Sequence, residues 1–400
     1  MALKGNLVVG QSGGPTTVIN ASLVGVVQQA MKQAEIEGIY GMLHGIRGLL
    51  DGEFIDLRQE SKQTLDLLMQ TPASALGTVR YKVKPTDYDR ILDVFARYNV
   101  RYFFYIGGND SMDTVYQVSE AAKERGYELC AVGVPKTIDN DLAMTDHCPG
   151  FGSAARFVAA AVRNTSFDTK AMGDSGPLKL VEVMGRNAGW LTAAAALARE
   201  EEGDGPHLIY VPECPVSEEQ IAADVKAVYD RYGFCVVALS EGVRRADGSA
   251  YAANTGVKDA FGHDVKAGVV ETVAQVIEEH TGLRARFDKP AYLQRSFGEL
   301  QSPVDRDEAW RAGADAVRAA VAGNTGVMVT LVRESGPAYS CKTELASLAN
   351  IANAERMLPR EYMNAAGNDV TQAFIDYARP LIGGPLLPYG RLAKHLVPKR

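Results

Sequence analysis

Seven short runs of the chain are apolar almost throughout: "NLVVG", "RYFFYIGG", "LCAVGVP", "KLVEVMG", "HLIYVPE", "FCVVALSEG" and "GVMVTLVRE". Most run straight into a loop that carries glycine or an acidic residue. Between them lie segments with helical spacing of apolar positions, among them "TTVINASLVGVVQQAMKQAE", "TDYDRILDVFARYN", "SMDTVYQVSEAAKERG", "GSAARFVAAAVRNT", "AGWLTAAAALAREE" and "SEEQIAADVKAVYDRYG". A strand without a polar face is buried on both sides. Such strands alternating with amphipathic helices predict an α/β chain with two parallel sheets covered on both faces. In these sheets ligands bind beyond the carboxyl ends of the strands. The post-strand loops are therefore where chemistry is expected. From about Ser347 the pattern mixes helix and loop, and "RPLIGGPLLPYGRL" reads as surface wrapping or an assembly contact.

Composition narrows the classes. The chain has 400 residues, 46% of them hydrophobic, enough for two or three domain-sized units. Net charge is -7 with the signs interspersed. The sole basic run is the terminal "PKR", so the footprint of a nucleic-acid binder is missing. A pocket for an anion remains compatible with that net charge. The cysteines, Cys130, Cys148, Cys214, Cys235 and Cys341, are odd in number, widely spaced and free of CxxC. That reads as reduced thiols rather than a disulfide framework or zinc site. No apolar run matches a signal peptide or a bilayer span. The expectation is a soluble cytoplasmic protein.

Three loops stand out. In "GQSGGPTTVIN", Gly13 and Gly14 let the backbone approach a ligand, and Thr16 or Thr17 precedes a helix whose first N–H groups suit a phosphate. The same residues also fit a plain strand-to-helix turn. The loop is neither a Walker loop nor GxGxxG. In "IGGNDSMDT", Asn109, Asp110 and Ser111 offer oxygens to a hard cation such as Mg²⁺, although a helix cap explains half of them. In "PKTIDND", Asp139 and Asp141 are two apart and point the same way in extended chain. One suits a general base, the other a metal ligand. An Asx-turn network beside a surface lysine is the bland alternative. Further on, "VEVMGRNAGW" supplies Met184, Gly185 and Arg186, "LSEG" supplies Glu241, and "RFDKPAYLQRS" supplies Arg286, Tyr292, Leu293, Gln294 and Arg295. Arginine grips phosphate bidentately, and glutamate accepts from sugar hydroxyls. The six histidines are scattered without metal-ligand spacing and read as structural.

The order "QSGG … LGTVRY … YIGGNDS … PKTIDND … VEVMGR … SEG … YLQRS", from Gly10 to Ser296, resembles the phosphofructokinase family over about three-quarters of the chain. The resemblance implies two Rossmann-like three-layer α/β/α domains with the active site in the cleft between them. It places residues 1–153 with about 294–345 on the phosphoryl-donor side. It places about 154–293 with about 346–400 on the fructose 6-phosphate side. ATP-using members typically read GGDGS and GTIDND where this chain has Asp110 and Lys136. Pyrophosphate-using members typically read GGDDS and PKTIDND. A carboxylate at Asp110 fills space that a nucleotide's inner phosphate needs. Like unit charges at about 4 Å cost roughly 4 kcal/mol at an effective dielectric near 20. Lys136 neutralises the departing orthophosphate.

Carried over residue by residue, the resemblance makes Asp139 the proton acceptor for the sugar's 1-hydroxyl, with Thr137 and Ile138 beside it. Lys136 and Arg80 stabilise the transferring group, Asp110 sets donor choice, and Gly14 meets the donor phosphate. Met184, Gly185, Arg186, Glu241, Arg286, Tyr292, Leu293, Gln294 and Arg295 hold the sugar phosphate. Asn109 and Asp141 bind Mg²⁺. Asn109 stands where an aspartate is usual, and the arginine a neighbouring subunit usually lends falls at Pro177, with Lys179 nearby. The implied reaction is reversible phosphoryl transfer from pyrophosphate to fructose 6-phosphate in a cytoplasmic homodimer or homotetramer. An ATP-dependent kinase and a non-catalytic sugar-phosphate-binding subunit are the competing readings.

Overall fold

The computed structural model describes residues 3–398, apart from 80, 82, 252, 259–263 and 353. Two α/β sheets carry the chain. The first uses β1 (Gly5–Gln11), β2 (Ile36–Met42), β3 (Phe54–Asp56), β4 (Val100–Gly107) and β5 (Cys130–Pro135). The chain then builds a second sheet from β6 (Leu178–Val183), β7 (Leu208–Tyr210) and β8 (Cys235–Ser240). A hairpin of β9 (Ala253–Lys258) and β10 (Asp264–Ala267) follows, and β11 (Ala285–Asp288) completes that sheet. Finally the chain returns to the first sheet with β12 (Val327–Arg333) and β13 (Cys341–Ser347).

The first sheet has the order β13-β12-β5-β4-β1-β2-β3 and the second β11-β6-β8-β7. The inner strands of both pair in parallel. The edges β13 and β3 of the first sheet are antiparallel, so the expectation of purely parallel sheets holds for the interior only. Alternation along β4 shows why the strands are apolar on both faces. Tyr102, Phe104 and Ile106 pack with the helices Ile19–Ala30 and Pro303–Val321. Phe103 and Tyr105 pack on the opposite side with Pro85–Arg97 and Asn109–Glu124. The second sheet is covered in the same way. Val181, Val183, Val236 and Ala238 face the long helix Phe151–Met172. Leu180, Cys235 and Val237 face Glu218–Tyr232 and Val269–Thr281.

Two segments depart from the pattern. "AGWLTAAAALAREE" forms one short α-turn, Trp190–Ala193, and then a 3₁₀ stretch, Ala194–Ala198. All of these residues are buried, so tertiary packing rather than propensity sets their conformation. The final segment runs along Phe151–Met172. Arg156 donates to the carbonyls of Ile382, Gly384 and Pro385, and Arg163 to that of Leu387. The five cysteines are buried free thiols. No helix among the described residues is long and apolar enough to cross a membrane.

Candidate active site

The carboxyl ends of β1, β4, β5, β6 and β8 open onto one cleft of about 720 Å³. Its floor is the stretch after β5. The Lys136 backbone N–H still donates to the Gly107 carbonyl, extending the ladder by one residue (2.9 Å). The Lys136 side chain is buried, and its Nζ donates to the Gly14 carbonyl at 2.8 Å. Gly13, in the left-handed region, has no Cβ; one there would lie 3.2 Å from that Nζ. The glycine loop after β1 and the lysine loop after β5 are thus fastened together across the cleft. Burial, and then the nearby Arg295, pull the ammonium down to about 8, while Asp139 and Asp141 act in the opposite direction.

Asp139 and Asp141 flank Asn140, whose φ of 58° turns the chain between them. Burial pushes Asp139 up to about 7, reinforced by Asp141 and Glu241 and opposed by Lys136. A base poised near neutrality is what proton abstraction from a hydroxyl requires. Asp141 is raised as well, mainly by burial. Its Oδ2 accepts from Asn109 Nδ2 at 3.0 Å. The partner atoms, Asn109 Oδ1 and Asp141 Oδ1, are buried and accept no hydrogen bond. Unpaired buried oxygens are costly. Unpaired oxygens on two side chains already in contact are a donor set suited to a hard cation that keeps water and phosphate oxygens as its other ligands.

Asp110 is in the first turn of Asn109–Glu124, at the cleft and exposed to solvent. Its repulsion of an anion is therefore closer to the bulk-water value, about 1 kcal/mol at 4 Å, than to the sequence-based expectation.

Across the cleft, Met184 N–H donates to the side-chain oxygen of the buried Gln294 (3.1 Å), and Gly185 N–H to Glu241 (3.3 Å). Arg186 reaches the same Glu241 carboxylate at 3.9 Å. Gly185 has a φ of 131°, which lets this turn fold back against Ala188. Arg295 stacks over the Tyr292 ring at 4.5 Å.

Of the residues singled out from sequence, Gly14, Asn109, Asp110, Lys136, Thr137, Asp139, Asp141, Met184, Arg186, Glu241, Tyr292, Gln294 and Arg295 line this cleft. Gly185 supports its wall. Ile138 points into the core beneath the second sheet, and Leu293 is 55% exposed outside the cleft. Arg286 also lies outside the cleft of its own chain. It is the second residue of β11, at the end opposite the cleft, and donates to the Ser175 carbonyl. Arg80 lies outside the described residues. Sequence reasoning missed Glu182, Asn187, Lys289 and Glu355, which also line the cleft. Glu182 carried a signal, a carboxylate inside an apolar strand. Glu355 carried none.

Residues 6–320 match the Phosphofructokinase family. The chain belongs to that family. It is 43% identical to the pyrophosphate--fructose 6-phosphate 1-phosphotransferase of Rhodospirillum rubrum, over 99% of this chain and 98% of the relative. It is 40% identical to the protein of the same name from Halomonas elongata, again over 99% and 98%. The crystal structure of the pyrophosphate-dependent phosphofructokinase from Nitrosospira multiformis matches 99% of this chain with a TM-score of 0.88, at 38% identity and 98% coverage of that chain. Residues 354–378, which bring Glu355 to the cleft, lie beyond the family match and inside these full-length similarities.

Proposed function

We propose that this phosphofructokinase moves a phosphoryl group reversibly between pyrophosphate and the 1-hydroxyl of fructose 6-phosphate. The observation that carries the donor assignment is the Lys136 ammonium, buried and fixed on the Gly14 carbonyl where the glycine loop meets the cleft floor. Full-length relatives of that printed name support it.

Asp139 accepts the proton of the sugar's 1-hydroxyl. The oxygen so released forms a bond to the terminal phosphorus of pyrophosphate as the bridging P–O bond breaks. The electron pair of that bond leaves with orthophosphate, and Lys136 neutralises the charge developing there. Gly14 positions the donor through its backbone, and Asp110 disfavours a longer polyphosphate. Asn109 and Asp141, whose Oδ1 atoms are unpaired, would hold Mg²⁺, which would supply charge neutralisation on the phosphate oxygens. Thr137, Met184, Arg186, Glu241, Tyr292, Gln294 and Arg295 hold the sugar phosphate, and their presence along one cleft supports that role.

The donor half is assigned to residues 1–153 with about 294–345, and the acceptor half to about 154–293 with about 346–400. Support comes from the sheets: β1–β5 with β12 lie in the first range and β6–β8 with β11 in the second, while β13 runs past the boundary to Ser347. A homodimer or homotetramer is the assembly the family implies; Arg286 is exposed and away from its own chain's cleft, whereas Lys179 is largely buried and pairs with Asp288 of its own chain at 3.1 Å. The buried free thiols agree with a cytoplasmic location.

The test is turnover of the purified chain with fructose 6-phosphate, pyrophosphate and Mg²⁺. Formation of fructose 1,6-bisphosphate and orthophosphate is expected, as is the reverse reaction from those two products. Absence of turnover in both directions, with fructose 6-phosphate still bound, returns the non-catalytic reading.

A further inference from the structure

The cleft floor is a loop with little regular structure of its own, yet it has to aim two carboxylates. Asn140, between them, is in the left-handed region, and Met144 is as well. Such a loop holds its shape only when its backbone groups are tied from outside. The ties converge on Arg356. Its Nε and Nη2 donate to the Asn140 carbonyl at 3.2 and 2.9 Å. Its Nη1 donates to the carbonyls of Thr145 (2.7 Å) and Asp146 (2.5 Å). Its own backbone N–H donates to the Asp141 carbonyl at 2.7 Å. One residue thus binds four carbonyls of a seven-residue stretch, and two of them, those of Asn140 and Asp141, belong to the turn that carries the carboxylates.

Arg356 is itself held. Its guanidinium stacks on the Trp190 ring at 4.4 Å, and its carbonyl accepts from Trp190 Nε1 at 3.0 Å. Tyr377 closes the far side. Its hydroxyl accepts from Asn140 Nδ2 and donates to the Asp146 carbonyl, both at 2.8 Å. Leu142 and Glu355 form a β-bridge beside the contact, which sets Glu355 at the cleft.

From this geometry we infer that Arg356 is a positioning residue for the reaction, fixing the direction in which Asp139 and Asp141 enter the cleft. Arg356 does not line the cleft and touches no substrate site. It acts through the Asn140 turn. The planar fork is essential to the argument, because three donors on one rigid plane reach three carbonyls at once. Lysine has the charge without the plane. The inference rests on the functional reading above, in which Asp139 is the base.

The experiment compares steady-state kinetics of the wild-type chain with Arg356→Lys and Arg356→Ala, each with its thermal midpoint. A displacement of about 1 Å at reacting groups costs on the order of a hundredfold in rate. The account therefore expects Arg356→Lys to lose about 100-fold in kcat, with KM for pyrophosphate and for fructose 6-phosphate changed less than about threefold. Guanidinium ion in the millimolar range is expected to restore part of kcat to Arg356→Ala, and ammonium at equal ionic strength is not. A kcat within about threefold of wild type in a folded Arg356→Lys overturns the inference. So does a rise in both KM values at constant kcat, or a rescue by ammonium equal to that by guanidinium. If Arg356→Ala does not fold, the decision rests on the Arg356→Lys kinetics alone. A wild-type chain without pyrophosphate-dependent turnover refutes the functional reading instead, before any variant is compared.

Discussion

The two walls of the cleft are built differently. On the donor side, Lys136, Asn109, Asp139 and Asp141 are recessed; Lys136 is tied to the Gly14 carbonyl, Asn109 to Asp141, and the Asp139 backbone N–H to the Thr137 hydroxyl. On the acceptor side, Tyr292 is 61% exposed, and Arg186 and Lys289 are long cations that reach acidic neighbours from the surface. Groups that meet developing charge are fixed before the substrate arrives, which is where electrostatic stabilisation is strongest. Among the groups assigned to the sugar phosphate, the exposed Tyr292 and Arg186 are screened by water, while Gln294 is buried and fixed on Met184. Changes on the donor wall should therefore act on kcat and changes on the acceptor wall on KM.

Asp139→Asn should break that contrast most severely. A positioned base contributes on the order of 10²–10⁴-fold. Loss of about a thousandfold in kcat is expected, with KM for fructose 6-phosphate nearly unchanged. Lys136→Met should follow with about a hundredfold loss in kcat with pyrophosphate. Asp110→Gly, an exposed carboxylate, should alter donor preference less than about tenfold by itself. Lys136→Gly combined with Asp110→Gly should give weak but measurable use of ATP. On the other wall, Glu241→Gln should raise KM for fructose 6-phosphate about tenfold while kcat holds within about threefold. A kcat effect as large as that of Lys136→Met would erase the contrast.

The smallest effect concerns stability. The loop after Asp141 is anchored by His147, whose Nδ1 bonds Asp146 and whose Nε2 bonds Glu308, both at 2.8 Å. Tyr339 donates to the same Glu308, and Arg333 pairs with Asp146. Cys341 is close to His147 and Glu308, but both ring nitrogens are already engaged, so the cluster is an ion-pair network. Burial pulls the imidazole down, yet its two carboxylate partners push it up to about 9 from 6.5. A raised folded-state value means the stabilisation is complete below about 6.5 and disappears as pH rises through about 9. The difference in urea midpoint between wild type and His147→Gln should shrink accordingly from pH 6.5 to 10. Activity should fall above pH 8 for a separate reason, the loss of the Lys136 proton.

Much of this was legible in the chain. The seven apolar runs are strands β1, β4, β5, β6, β7, β8 and β12, because burial on both faces leaves a local, uninterrupted signature. The loops after β1, β4, β5, β6 and β8 meet at one cleft for the same topological reason. Arg286 is the motif residue that this chain places away from its own cleft. It sits near the start of β11, paired with Lys179, while the cleft lies beyond the strand ends. Ile138 lies inside the motif, but the loop after β5 turns its side chain into the core. Arg356 and Glu355 were invisible, since Arg356 meets Asn140 across 216 positions and nothing periodic marks it. Long-range return of a C-terminal segment leaves no local pattern.

The central claim is that the buried Lys136 ammonium, with Asp110 at the cleft, makes this a site for pyrophosphate rather than for a nucleotide. The most direct test is the ratio of kcat/KM for pyrophosphate to kcat/KM for ATP, measured on the wild-type chain at saturating fructose 6-phosphate and Mg²⁺. The account expects a ratio above about 1,000, roughly 4 kcal/mol of donor discrimination. A ratio near one, or one favouring ATP, contradicts it.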